Sequence, residues 1–201
     1  MGGTTGGRTR LSALIVLGTI LVVLLANAAL AFDGKRTGFI AGAGGGFGLL
    51  GEDETFAMSS YSPYHDNEPS DWVDHHPLYM NFRYGYAPTE QFSIYWSYQA
   101  GTLVSEHRTW LESISGLGAS YYMKSTVPSV FVGLVTGFAT RSTFYEDYDE
   151  SIGGVGTSIS VGYEFRKHWE VEFTAWAGRP SELYRYFRVA GVALQVRLTA
   201  Y

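Results

Sequence analysis

Glu170 and Glu172 stand two apart in the run Trp169-Glu170-Val171-Glu172-Phe173, where apolar residues alternate with them. In an extended strand that spacing puts both carboxylates on one face. Two carboxyls so placed suit general acid–base or glycosidase chemistry, provided a cleft admits a sugar between them. His65, His75 and His76 fall in a second group, among Glu52, Asp53, Glu54, Asp66, Glu68, Asp71 and Asp74. His65, Asp66, Asp74, His75 and His76 could hold a divalent cation. The adjacent pair His75-His76 lacks the i, i+4 spacing of a helical zinc site. Acidic runs are usually solvated faces, so a solvated loop is the plainer reading. The Gly-rich stretch 42–48 lacks the Lys-Ser/Thr of a phosphate-binding loop, and no helical pattern follows it. No cofactor is implied.

What must position these residues follows from composition. The chain has 201 residues with 25 Gly, 6 Pro, no Cys and a formal net charge of −5. Aromatic residues make up 16% and charged residues 16%, against about 25% charged in an ordinary soluble chain. High Gly and aromatic content suits strands and tight turns. The acidic balance argues against nucleic acid as a partner, which would require a basic face. Without Cys there is no disulfide and no thiolate metal site.

Arg8 and Arg10 precede an apolar run over 11–25, followed by Ala-Asn-Ala-Ala-Leu-Ala ending at Ala31. A basic start, a short apolar core and a small-x-small site form a secretory signal peptide. The expected organisation is a signal peptide over 1–31 and one domain over 32–201. A retained anchor is the alternative, because the apolar stretch is just long enough to span a bilayer.

Beyond residue 31, apolar residues recur at every second position, the strand signature. Eight such runs are present. They are typified by Leu78, Met80, Phe82, Tyr84 and Tyr86 in the second, and by Val155, Ile159, Val161, Tyr163 and Phe165 in the sixth. Short links at 87–91, 124–129 and 166–168 alternate with longer ones at 51–77, 104–112, 141–151 and 178–186. An all-β, eight-stranded antiparallel up-and-down barrel gives this alternation when all long loops leave one end, as in transmembrane barrels. The Gly85-Tyr86 and Gly162-Tyr163 hairpins reach their next strands at equal spacing, which predicts a shared turn geometry.

The polar face decides the orientation. It carries Gly116, Gly118 and Ser120 in the fourth run, and Gly154, Gly156, Ser158, Ser160 and Gly162 in the sixth. A water-facing sheet would carry many charges. Small neutral residues instead suit a cramped lumen, since eight strands leave only enough width for side chains. Tyr84, Tyr86, Phe92, Tyr121, Tyr163, Phe165 and Trp169 flank the short turns on the apolar face and read as an interfacial girdle. A soluble periplasmic ligand-binding barrel is the alternative if the faces are reversed. With the polar face inward, the Gly run from Gly42 to Gly48 reads as a packing strip approached by side chains from across the lumen.

The lumen-facing charges are Arg83, Glu164, Glu170, Glu172 and Arg197, all near the short turns. Charges in so narrow a lumen must pair. The expectation is a salt-bridged plug rather than an ion-selective constriction or a catalytic pair, because no sugar cleft fits inside. One acid exceeds the bases and needs a proton, a water, or a hydrogen bond from Tyr95 or Gln99.

On this pattern, 36–201 resembles the small eight-stranded outer-membrane β-barrel proteins of Gram-negative bacteria, similar to the OmpA-type transmembrane domain. The last run resembles the C-terminal assembly signal of that class, which usually ends in Phe. Tyr201 stands one residue out of register with Leu198, Val196 and Leu194. The resemblance implies location in the cell outer membrane and a structural or surface-interaction role with acidic extracellular loops. It implies outer-membrane lipid and lipopolysaccharide as partners, periplasmic chaperones and the barrel-assembly machinery during biogenesis, and a monomer. It also implies the barrel alone, without the peptidoglycan-binding domain of full-length OmpA-type proteins. A lipid-modifying enzyme is the alternative. Lipid A deacylases of similar shape carry His-x-Ser-Asn with a Glu, and His107-Arg108-Thr109 does not match it. The palmitoyltransferase pattern of loop His, Asp and Ser finds no distinctive match either, so the expected role is not enzymatic.

Overall fold

A computed structural model describes residues 35–56, 77–104, 108–145, 149–182 and 185–201. The 1–31 leader, the proposed loop cation residues His65, Asp66, Asp74, His75 and His76, and His107 lie outside the described residues. Eight strands follow in chain order: β1 (Gly38–Phe56), β2 (Leu78–Thr89), β3 (Phe92–Val104), β4 (Arg108–Tyr122), β5 (Ser129–Tyr145), β6 (Asp149–Arg166), β7 (Trp169–Glu182) and β8 (Arg185–Ala200). Each pairs antiparallel with its neighbour in sequence, and β1 pairs with β8, so the sheet closes into a barrel without edges.

The alternation places each residue as its parity demands. Phe47, Tyr84, Leu117, Leu134, Val155, Ile159 and Leu194 are exposed on the outer wall. Arg83, Ser97, Ser120, Ser160, Thr174 and Gln195 are buried inside. A large, continuous, exposed apolar surface of this kind suits a surrounding hydrocarbon, where transmembrane strands need roughly 9–11 residues. On β6 the apolar band runs from Val155 to Phe165, which matches that requirement.

Two expectations are corrected. Three of the long links are mostly strand. Pairing continues on β4–β5 to Arg108↔Tyr145, on β5–β6 to Phe144↔Asp149 and on β7–β8 to Glu182↔Arg185. Only residues 105–107, 146–148 and 183–184 lie between those strands, while 57–77 separate β1 from β2. Beyond the belt the outward positions become Thr140, Ser142, Ser151, Arg179 and Arg188. Backbone pairing does not need apolar side chains there, so the strands outlast the hydrophobic signal.

The interior is also less uniformly polar than expected. Ile114, Phe131, Val135, Trp176, Phe187 and Val189 are buried within it. They fit because facing positions are small. A Cβ on Gly162 would overlap the Phe131 ring, so only glycine admits that ring against the wall.

The two hairpins with matching spacing share a construction. In β2–β3 the register shifts between Tyr86 and Thr89 ahead of Thr89↔Phe92, and in β6–β7 between Glu164 and Arg166 ahead of Arg166↔Trp169. Each therefore has one extra residue on its first strand, followed by a two-residue turn. In the second, His168 supplies a left-handed backbone with φ 72°.

Candidate functional site: a buried ion network at the short-turn end

The β7–β8 register sets Glu170 directly opposite Arg197, with Glu172 one inward position further along, opposite Gln195. Arg197 Nε donates to Glu170 Oε2 at 2.7 Å, and its Nη2 also pairs with that oxygen. Its Nη1 pairs closely with Glu172 Oε2. Arg83 reaches across from β2 and donates to the same Glu172 oxygen at 2.9 Å. Tyr122 on β4 donates to Glu170 Oε1 at 2.6 Å, and Thr199 to Glu170 Oε2 at 3.2 Å. Thr174 donates to Glu172 Oε1 at 3.2 Å. Two carboxylates are thus bound by two guanidiniums and three hydroxyls from four strands.

Glu164 lies in a second part of the network. Its Oε2 accepts from Arg36 Nε at 2.6 Å, and its Oε1 accepts from the Tyr201 hydroxyl and from the His168 backbone N–H, the latter at 3.2 Å. Arg36 also donates to the carbonyls of Glu90 and Lys124 at 3.2 and 2.7 Å. The two parts meet where the Arg36 guanidinium lies 4.4 Å from the Tyr122 ring centroid. Arg83 lies similarly 4.6 Å over Tyr95. Such stacking supports a cation where water is scarce.

Glu164, Glu170 and Arg197 have no exposed surface, and Glu172, Arg83 and Arg36 are at most 4% exposed. Burial at this level requires pairing, because an isolated ion would cost several kcal/mol. Arg36 changes the expected balance. Three Arg now face three Glu, so the excess acid inferred from five charges disappears. Tyr95 and Gln99 are not the acids' partners. Tyr95 shares a hydrogen bond with Ser120 at 2.8 Å, and Gln99 Oε1 accepts from Tyr79 at 3.0 Å. The phenols on the acids are those of Tyr122 and Tyr201.

Room for Arg83 and Arg197 comes from β1, which lies between their strands. A Cβ on Gly42 would sit 3.0 Å from Arg83 Cγ, and one on Gly44 would sit 3.0 Å from Arg197 Cβ. The glycine strip is therefore packed by side chains of the flanking strands β2 and β8, not by chains from across the lumen.

Arg36 was legible by parity, since it shares the inward phase of Ile40 and Gly42, but it precedes the first apolar alternation. The same parity explains Tyr201. It points inward with Arg197 and Thr199 and is buried, which is why it falls out of register with Leu198. A further ion pair, Glu112–Arg141 at 3.2 Å, lies toward the other end, with Arg141 4.1 Å over Phe187. Sequence reading assigned both positions to the edges of links.

At the turn itself, His168 Nδ1 donates to the Thr199 carbonyl at 2.9 Å. Partial burial lowers the imidazole's pKa from its ordinary value, against the opposing pull of that carbonyl and of Glu164. Among the described residues no group of His, Asp and Glu is arranged to hold a metal ion.

No family model matches the sequence, and no curated protein matches it. Solved structures do match. Neisserial surface protein A is 11% identical, with 81% of this chain and 97% of that one covered at a TM-score of 0.51. Ail, the attachment invasion locus protein of Yersinia pestis, is 11% identical over 81% of this chain and 99% of its own, with a TM-score of 0.48. The outer membrane protein OprG of Pseudomonas aeruginosa is 9% identical over 84% and 99%, with a TM-score of 0.46. Identity this low speaks to fold alone. With its closed antiparallel strand order and outward apolar belt, the chain has the fold of the small eight-stranded outer-membrane β-barrels.

Proposed function

We propose that this chain is a resident of the bacterial outer membrane with a structural or surface-interaction role. Its lumen is closed by the charged network, and the long β1–β2 link together with the short tips of the other strand pairs forms an acidic extracellular surface. The observation that carries the reading is the way the network fills the lumen. Six charges, one from the segment before β1 and five from β2, β6, β7 and β8, neutralise one another, and the cavity left among Arg36, Arg83, Ser93, Tyr122, Thr199 and Tyr201 measures about 10 Å³. That is about the minimum for one water molecule.

The same packing weighs against catalysis by Glu170 and Glu172. Both are saturated by Arg, Tyr and Thr partners, which leaves neither carboxylate free to act as acid or nucleophile. The loop side carries seven acids and no Lys or Arg between Glu52 and His76. Such a surface would meet anionic lipopolysaccharide through bridging divalent cations. The leader over 1–31 would direct export, with chaperones and the assembly machinery acting before insertion. The barrel closes on itself and would serve as a monomer.

Planar-bilayer recording tests the closed lumen. The wild type is expected to give no steady ion current under applied voltage, and large steady currents would overturn the plug. Fractionation with heat-modifiable gel migration tests the location. Recovery in the soluble periplasmic fraction would favour a soluble ligand-binding barrel instead.

A further inference from the structure

Outside the barrel, at the short-turn end, an open groove of about 690 Å³ lies between the β4–β5 connection and the β6–β7 turn. Val127, Phe165, Trp169 and Leu198 supply its apolar lining, and Arg166 and Lys167 supply its charge. No carboxylate lines it among the described residues. The register shift between Glu164 and Arg166 explains the composition. The extra residue leaves Phe165 and Arg166 both facing outward, where strict alternation would have turned one of them inside. The nearest acid in sequence, Glu164, is fully buried and bound to Arg36 on the lumen side.

The groove is held in shape by hydrogen bonds that do not involve its cations. The His168 carbonyl accepts from the Thr199 N–H at 2.8 Å, the His168 ring donates back to the Thr199 carbonyl, and the His168 N–H donates to Glu164. Lys124, exposed on the adjacent connection, adds a further positive charge to this part of the rim.

We propose that this groove is a binding site for one anionic phospholipid of the periplasmic leaflet, such as phosphatidylglycerol. The inference rests on the membrane reading above and adds a site to it. An acyl chain would lie along Leu198 and Phe165, continuous with the apolar wall. The Trp169 indole would sit at headgroup depth. The phosphodiester would be met by Arg166, whose planar fork suits phosphate oxygens, and by Lys167. Two adjacent cations select against a zwitterionic lipid, because they repel the ammonium of phosphatidylethanolamine. Each basic residue near an anionic leaflet contributes enough to imply a preference of roughly 30-fold for two of them at moderate salt.

The test uses the full mature barrel refolded into phosphatidylcholine vesicles containing graded phosphatidylglycerol or phosphatidylethanolamine, with retained lipid read by native mass spectrometry. The wild type should retain phosphatidylglycerol over phosphatidylethanolamine by roughly 30-fold, with the preference weakening as salt rises. R166Q/K167Q, which changes no lumen residue, should refold with the same heat-modifiable migration and bring retention to parity. A correctly inserted wild type without preference would overturn the site while leaving the membrane reading intact. So would a double variant that keeps the preference, or equal competition by soluble glycerol phosphate. Failure of the wild type to insert at all would overturn the membrane reading, and the site with it.

Discussion

Replacing Arg197 with Met keeps most of the buried stem and removes the guanidinium that bridges Glu170 and Glu172. The two acids are left in different positions. Glu172 retains Arg83 at 2.9 Å and Thr174 at 3.2 Å. Glu170 retains only neutral donors, Tyr122 at 2.6 Å and Thr199 at 3.2 Å. A buried carboxylate without a cation costs about 3–5 kcal/mol. The two retained hydroxyl bonds bring the expected loss for Arg197→Met toward the lower end, about 3 kcal/mol. Glu170→Gln in the Arg197→Met background removes the stranded charge while keeping an acceptor for Tyr122. The cycle should therefore show a favourable coupling of about 2 kcal/mol. Glu172→Gln should couple more weakly, because Arg83 already neutralises it. The register thus singles out Glu170, which stands directly opposite Arg197. Reversible urea unfolding in lipid vesicles, read by tryptophan fluorescence, measures each corner of the cycle. Arg179→Met, at an exposed position on β7, serves as the control. Strictly additive losses for Arg197→Met and Glu170→Gln would refute the pairing. A loss for Arg197→Met no larger than the control would refute the buried network as a source of stability.

Three further outcomes are expected. Arg introduced at Ile159 or Val161, mid-belt on β6, should destabilise the barrel by about 2–4 kcal/mol, and at Tyr163 by less. Refolding energies in lipid with no such depth dependence would contradict the outward assignment. Protease added to intact cells should cut between Ser59 and Asp74, whereas protection there with cutting at Lys124 or Lys167 would invert the topology. His168 is held below its ordinary pKa of 6.5 in the folded protein, so the unfolded chain binds the proton more readily. The stability tied to the neutral ring is present above that value and is lost as pH falls below it, through the lowered pKa of the folded state. His168→Asn, which tolerates the left-handed backbone without titrating there, should flatten the stability profile between about pH 7.5 and 5.5. An unchanged slope would rule out this coupling.

Strand existence and facing were legible because the outer wall must be apolar at every second residue. β6 shows this plainly from Val155 to Phe165. Strand ends were not legible, because beyond the belt both faces of β5 are polar or mixed, as in Ala139-Thr140-Arg141-Ser142-Thr143, yet the hydrogen-bond ladder continues. Charged residues inside the alternation, Arg83, Glu170, Glu172 and Arg197, could be assigned to one layer by counting from the turns. Arg36 lies before the first strand and is drawn in by Glu164 from 128 positions away. Separation in sequence hides such a contact, although its inward parity was visible. Large rings inside the lumen were missed for a related reason. Phe131 fits an eight-stranded interior because Gly162 stands opposite it, a complementarity between strands that alternation within one strand does not reveal.

The continuation of the strands past the apolar belt changes where this protein meets its surroundings. From Gly154 back to Asp149, and from Ala139 on to Tyr145, the wall remains a paired sheet with Thr140, Ser142, Phe144 and Ser151 outside. Six residues of tilted strand raise the rim by about 15 Å. In the outer-membrane reading proposed above, the segments joining these strands would start from a paired collar standing clear of the hydrocarbon rather than at the lipid surface. A collar of paired backbone loses far less freedom on engaging a ligand than a long untethered loop would. Any partner docking on this face would meet a pedestal whose height and diameter are set in advance by the barrel.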